Sequence, residues 1–396
     1  MVEASEKEGE EESEEFVLGE EIDELVHTSL RLSRLEKAAL FLLIGAPIAI
    51  IAKIAGGSSA AIFLGATAAI MPLALLMGRA TEELAIRSGP GLSAFLLATF
   101  GNATELIIAI VAINRGHVEL ARASLVGSII INVLLVLGMS FMAGGYKFPV
   151  MNYSRITASA TISMLTVSVV GVMLPSLYFY ATYGFEEIGD FPDEIVTMSL
   201  FVAAILVGVY LLYMLFSMRT HKRYFNGEEG MPIERTRKPE PDLATWPTRT
   251  AVLMLAVTML CVVGIAELMI GEIEIIMEDV GVSEFFMGVV IIALVGNAAE
   301  HSSAILMAWR GRIELSVQIA LGSSVQIALL VIPIMVFISF AIGNFMALVF
   351  TPLGLIAMIA TLAIAIVIVL DGQATWFDGA MLVAIFLMLA GIAFML

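Results

Sequence analysis

The sequence predicts an all-α polytopic membrane protein, with one leading helix followed by two five-helix repeats of inverted topology. Three observations carry this prediction. The 396-residue chain is 60% hydrophobic and only 14% charged, with a mean hydropathy of +0.98, whereas soluble globular proteins are nearer half apolar and a quarter charged. Apolar runs of about 18 residues or more recur throughout, each long enough to cross a bilayer as a helix. A 28-residue stretch also occurs twice, 195 positions apart.

Residues 1–36 come first. Positions 3 to 24 hold 12 Glu or Asp and one Lys, which predicts a disordered acidic tail and accounts for much of the net charge of -17. A secretory signal peptide, with its basic start and apolar core, does not fit. Eleven spans are then expected, at roughly 37–54, 60–86, 91–114, 118–143, 155–178, 195–218, 248–270, 284–309, 313–340, 346–370 and 375–396. Helix is the expected form, because lipid offers no partner to a free backbone group. Barrel strands are far shorter than these runs. The single cysteine, Cys261, lies in the seventh span and can form no intrachain disulfide.

Loop charges orient the chain. Arg31, Arg34 and Lys37 precede the first span, and Arg79 and Arg87 close the second. Lys147 and Arg155 lie between the fourth and fifth. The basic linker 219–247 carries Arg219, Lys222, Arg223, Arg235, Arg237 and Lys238, and Arg310 and Arg312 follow the eighth span. With a cytoplasmic N-terminus all of these face the cytoplasm, the acidic loops around Glu186 and Glu274 face the other side, and the C-terminus ends there too. Lys53 and Arg115 are minor exceptions.

The first copy of the repeat, GNATELIIAIVAINRGHVELARASLVGS, runs from Gly101 to Ser128, and the second, GNAAEHSSAILMAWRGRIELSVQIALGS, from Gly296 to Ser323. They share 12 of 28 positions. The copies fall on the third and eighth spans. Five spans apart is an odd number, so they cross in opposite directions. The halves are therefore 60–218 and 248–396, and inverted repeats with a polar site near the bilayer midplane are typical of secondary transporters.

Each copy puts a glutamate, Glu105 or Glu300, inside an apolar segment, where a charge costs about 3 kcal/mol unless it is paired, hydrated or bound. Inversion brings the two together. Unaided they would repel, and one would hold a proton. A divalent cation resolves the conflict, and Ca²⁺ suits carboxylate, amide, carbonyl and water oxygens. Gly101 and Gly296 permit a helix break that frees carbonyls. Asn102 and Asn297 add amide oxygens or hold the break together. The lack of a His/Cys cluster makes a softer metal less favoured. A doubly protonated pair and a Ca²⁺-loaded pair are both tolerable in lipid, but an empty charged pair is not, so calcium and protons are expected to alternate.

Around this pair, Ser128 and Asn132 in one half, and Ser323, Ser324 and Gln326 in the other, line an ion path or join helices by hydrogen bonds. Glu82 and Glu267 relay protons, line the approaches, or are ordinary interfacial charges. His301, beside Glu300, takes a proton role or orients a neighbour. Glu119 and Glu314 are expected to pair with Arg115 and Arg310 or to cap a helix. The chain has no P-loop, dinucleotide fingerprint or H-E-x-x-H motif. An ion gradient is therefore the expected energy source. No nucleotide, nucleic acid, resident cofactor or enzymatic activity is expected, and Ca²⁺ would be cargo.

GNATE and GNAAEH, each followed by Gly-Ser about 23 residues later, resemble the cation/proton exchanger family of the calcium/cation antiporter superfamily, and the resemblance covers most of residues 60–396. It implies an eleven-helix fold, Ca²⁺/H⁺ antiport at Glu105 and Glu300, gating by sliding of the first and sixth helices, and proton-pathway roles for Glu82 and Glu267. Sodium/calcium exchangers of the same superfamily carry Ser and Pro where this chain has Asn and Ala, which favours protons over sodium. A Na⁺-coupled Ca²⁺ exchanger is the alternative expectation. A divalent-cation channel and an intramembrane enzyme fit less well. The linker 219–247 also lacks the acidic helix that some members have.

Overall fold

Punctuation in the sequence sets the helix ends. The computed structural model describes residues 38–88, 90–184, 191–216 and 246–395, so the acidic tail and nearly all of the linker 219–247 lie outside the described residues. The helices are α1 (Ala38–Ile54), α2 (Ser59–Arg87), α3 (Pro90–Phe100), α4 (Ala103–Asn114), α5 (Val118–Gly145), α6 (Arg155–Tyr183), α7 (Asp193–Leu215), α8 (Thr248–Ile270), α9 (Ile273–Val280), α10 (Glu284–Gly296), α11 (Ala298–Trp309), α12 (Ile313–Ile342), α13 (Pro352–Val369) and α14 (Trp376–Met395). Ser58, Ser154, Ser283 and Thr351 cap α2, α6, α10 and α13, each side chain accepting a backbone N–H in the first turn. At the other end, α12 stops at Gly343, whose φ of +93° suits glycine. A two-residue ladder pairs β1 (Met151–Asn152) with β2 (Gln373–Ala374), antiparallel.

Among the described residues, eight helices are long and apolar enough to cross a membrane, or nine if the pair α9 and α10, bent by 114°, is one span. They match eight of the eleven expected spans. The other three take a different form. The first is the shorter helix α1, and the third and eighth are interrupted, as α3 plus α4 and α10 plus α11, at Gly101–Asn102 and Gly296–Asn297. One expected boundary moves. The tenth span is expected from 346, but α13 begins at Pro352 and the preceding stretch is irregular rather than helical.

Within that stretch residues 346–350 are apolar and buried, and side chains from other helices satisfy their backbone. Ser176 donates to Leu348 O and accepts from Phe350 N, Ser199 accepts from Leu348 N, and Tyr180 donates to Phe350 O. Arg122 reaches Val349 O and pairs with Glu119. An unpaired buried amide costs about 1–3 kcal/mol, so these remote hydroxyls are what permit non-helical backbone here.

Packing is tightest around α5, whose most apolar stretch is 83% buried, against 22% for the peripheral α14. Small residues let backbones touch, as expected in lipid. A Cβ on Gly138 would lie 2.9 Å from the Gly379 carbonyl oxygen, so α5 and α14 cross in close contact. α2 packs along α8, and α1 lies against α2.

Candidate functional site

The two interruptions place the repeated Gly-Asn pairs at the middle of the bundle. Each break starts a new helix with a glutamate in its first turn, Glu105 in α4 and Glu300 in α11, where the amide dipoles favour an anion. Neither Gly101 nor Gly296 has a positive φ, so backbone freedom is not what these glycines supply. At Gly296 the reason is space, because an added Cβ would sit 3.3 Å from Glu105 Cγ. Glu105 thus packs directly on the other copy's break.

The amides and hydroxyls form a matched pair of cross-links between the repeats. Asn297 Nδ2 donates to Ser128 Oγ at 2.8 Å, and Asn102 Oδ1 lies 3.3 Å from Ser323 Oγ. Each asparagine therefore meets the serine of the other half. The remaining contacts break the symmetry. Ser323 donates to Glu300. Asn132 Nδ2 donates to Ser323 Oγ at 3.1 Å, and Asn132 Oδ1 contacts His301 Nε2 at 3.2 Å. Gln326 accepts from Asn102 Nδ2 at 2.8 Å. Wide π turns follow both serines, at Ile131–Val136 and Ile327–Val331, a local form that recurs at functional sites.

The two carboxylates differ. Glu105 is buried, and its Oε2 has no hydrogen-bond partner among the described residues. Glu300 borders a cavity of about 220 Å³ that runs to the end of the bundle where α2 finishes, past Thr81, Glu82, Leu97, Gly101, Gln318 and Gly322. Among the described residues no three His, Cys, Asp or Glu side chains cluster as a metal site. The donors at the centre are two carboxylates with amide and hydroxyl oxygens. This set suits a hard, oxygen-seeking cation such as Ca²⁺ and offers no soft ligand.

Of the expected residues, Asn102, Glu105, Ser128, Asn132, Asn297, Glu300, His301, Ser323 and Gln326 come together here, with Gly101 and Gly296 beside them. Glu82 lies at the cavity wall. Glu267 is elsewhere, at the far end of α8, where Arg115 Nε and Nη2 donate to it at 2.8 and 2.6 Å. Arg115 was expected to pair with Glu119, but Glu119 takes Arg122 instead. Glu314 meets the expectation of a cap, accepting the Ser154 N–H at the start of α6. At the same far end Lys53 pairs with Glu272 at 2.5 Å, so both exceptions to the loop-charge pattern are neutralised by partners. The Lys53 hydrogen bond holds the Glu272 carboxyl below the usual carboxylate range. Sequence reasoning passed over Glu83, which is 1% exposed, lies 3.1 Å from Arg79 and accepts the Trp246 N–H. Only the helical phase of α2 separates it from its exposed neighbour Glu82.

Comparison with known proteins bears on the family and the fold. The sequence matches the sodium/calcium exchanger protein family over residues 58–219 and 250–395. It is 37% identical to a Ca²⁺/H⁺ antiporter of Synechocystis sp. over 372 residues, covering 91% of this chain and 97% of that protein. It is 33% identical to a vacuolar calcium ion transporter of Schizosaccharomyces pombe, covering 87% and 82%. The fold superposes on the Ca²⁺/H⁺ antiporter protein YfkE with a TM-score of 0.75 at 31% identity, over 91% of this chain and 100% of that one. The H⁺/Ca²⁺ exchanger CAX shares the fold at 16% identity, with a TM-score of 0.66 over 91% and 93%. The likeness to cation/proton exchangers read from GNATE and GNAAEH holds, and the chain belongs to the sodium/calcium exchanger protein family.

Proposed function

We propose that this protein exchanges Ca²⁺ for H⁺ by alternating access, with the two ions competing for Glu105 and Glu300. The observation that carries the reading is the buried oxygen of Glu105 that has no hydrogen-bond partner among the described residues, on a side chain that packs against Gly296, one turn before Glu300. A buried carboxylate with an unfilled oxygen needs either a proton or a cation. Ca²⁺ bound there would draw on both carboxylates, with Asn102 and Asn297 as amide donors. Protonation of both would release it. The empty, doubly charged site is the species lipid tolerates least, so the protein reorients loaded with one ion or the other.

In this reading the first, third and eighth segments also cross the membrane, giving eleven crossings, a cytoplasmic N-terminus and a C-terminus on the opposite side. The cavity beside Glu300 then opens to the cytoplasm, and the Arg115–Glu267 and Lys53–Glu272 pairs close the other face. Glu82 stands on the ion's approach. Glu267, held by Arg115, acts as a latch on the closed face rather than as a proton carrier. The relatives named Ca²⁺/H⁺ antiporters favour protons over sodium as the counter-ion.

The test is radiolabelled calcium uptake into proteoliposomes under an imposed pH gradient, with and without a sodium gradient. Uptake driven by the pH gradient alone is the expected result. A requirement for sodium would overturn the coupling, and equal flux in the absence of any gradient of counter-ion would point to a channel.

A further inference from the structure

The two halves differ in a feature that lies in residue type, so no change of conformation exchanges it. In α12, Glu314, Gln318, Gly322 and Gln326 recur at every fourth position, so they share one face of the helix. Their counterparts 195 positions earlier are Glu119, Ala123, Gly127 and Ile131, and neither amide is repeated. Ala123 is buried and packs on Gly288 of α10, where an added Cβ would lie 2.6 Å from the Ala123 Cβ. The two glutamates also take different partners. Glu119 pairs with Arg122 at 2.5 Å, whereas Glu314 accepts the Ser154 N–H with one oxygen and Gln318 Nε2, at 2.9 Å, with the other.

That last contact fixes how Gln318 is turned. A carboxylate offers only acceptors, so the amide must present its NH2 group to Glu314, and its carbonyl oxygen is the group left for the other side. Gln318 borders two spaces. One is a pocket of about 10 Å³ shared with Tyr153, Thr157 and Glu314, and the other is the cavity of about 220 Å³ that reaches Glu300. Gln318 therefore stands as a partition, its nitrogen held on the Glu314 side and its oxygen turned to the cavity. Along α12 it lies five residues before Ser323, the donor to Glu300, a rise of about 7.5 Å.

We propose that Gln318 is a transit ligand for Ca²⁺ on the way between the cavity mouth and Glu300, and that Glu314 is the positioning residue that keeps its oxygen facing the ion. Amide oxygens are natural ligands of Ca²⁺. A neutral oxygen replaces one of the ion's waters without holding the ion as a carboxylate would, and passage needs sites that are weak enough to leave. Ala123, in the equivalent place, offers no side-chain oxygen, so the aid is confined to one side of the membrane. The proposal rests on the reading above that this cavity opens to the cytoplasm in a Ca²⁺/H⁺ antiporter.

The experiment uses the full chain in membrane vesicles of a host that lacks its own Ca²⁺ exchangers. Everted vesicles present the cytoplasmic face to added Ca²⁺ and right-side-out vesicles the opposite face, so KM for pH-driven uptake is read on each side separately. Gln318→Leu should raise KM about fivefold in everted vesicles, the worth of one polar contact, and by less than about twofold in right-side-out ones. The equilibrium Ca²⁺ affinity of the purified protein and its melting temperature should match those of the parent, because the central carboxylates are untouched. Glu314→Gln should raise the everted-vesicle KM by a smaller factor and add nothing in the Gln318→Leu background, as residues acting through one contact require. A parental KM for Gln318→Leu in everted vesicles would overturn the proposal. So would an equal rise on both sides, or a loss of equilibrium affinity, which would make Gln318 part of the central site. Additive effects of the two substitutions would overturn the positioning role of Glu314. Failure of the underlying reading would show separately, as absence of pH-driven uptake by the unsubstituted protein, or, for the orientation, as a KM rise confined to right-side-out vesicles.

Discussion

Glu105 and Glu300 begin helices of one sequence pattern and end in different surroundings. Glu105 is sealed, presses on Gly296 and leaves one oxygen without a hydrogen-bond partner among the described residues. Glu300 faces a cavity and takes a hydrogen bond from Ser323, while the equivalent Ser128 serves Asn297 instead. On the proposed alternating-access reading, the inequivalence of the two copies records which end of the bundle is open, and exchanging the two environments is the transport step itself.

The largest effect should come from erasing the carboxylates. Glu105→Gln and Glu300→Gln should each abolish proton-driven Ca²⁺ uptake while leaving a folded, monodisperse protein. Uptake surviving in either variant would break the two-carboxylate mechanism. Gly296→Ala comes next. Its Cβ intrudes on Glu105 Cγ at 3.3 Å, and overpacking of this kind costs about 1–3 kcal/mol, so a clear drop in melting temperature and in Ca²⁺ affinity is expected. The serines sharpen the contrast. Ser323→Ala removes the donor to Glu300 and should weaken Ca²⁺ binding by about tenfold or less, the worth of one hydrogen bond, whereas Ser128→Ala should act only through Asn297 and cost less. Titration calorimetry on the two variants would rank them, and the reverse order would mean that the present assignment of the two sides is wrong.

The smallest effect lies at the closed face. The Glu272 carboxyl is held low by Lys53, so its contribution to stability is present above its unfolded-state pKa and is lost as pH falls through the lowered folded-state value. Lys53→Met should therefore lower stability slightly at neutral pH, by up to about 1 kcal/mol given that Lys53 is half exposed, read as a small drop in melting temperature. The curves of variant and parent should converge in acid. A gap that persists at low pH would mean the lysine acts through packing.

Much of this was legible in the chain. Hydropathy located the long helices, and the internal repeat singled out Glu105, Glu300 and both asparagines, because a polar pattern inside an apolar run has few explanations in lipid. The non-helical stretch 346–350 was not legible. Its residues are as apolar as any helix here, and what holds it out of a helix is a set of hydroxyls on Ser176, Ser199 and Tyr180, more than 140 positions away. Glu83 was hidden for a different reason, since choosing it over Glu82 requires the rotational phase of α2 against its neighbours. The pairing of Arg115 with Glu267 spans 152 positions, and only the folded bundle brings the two together.

The close crossing of α5 by α14 also bears on how the protein is made. α5 emerges from the ribosome well before α14, yet α14 is the partner for its Gly138 strip. The hydroxyls of Ser176 and Ser199 likewise wait for residues 348–350. Until α14 is made, the first half sits in the membrane with a backbone-exposing groove and unserved polar groups, so insertion and folding are separate events, and the first half can reach its final form only after α14 arrives.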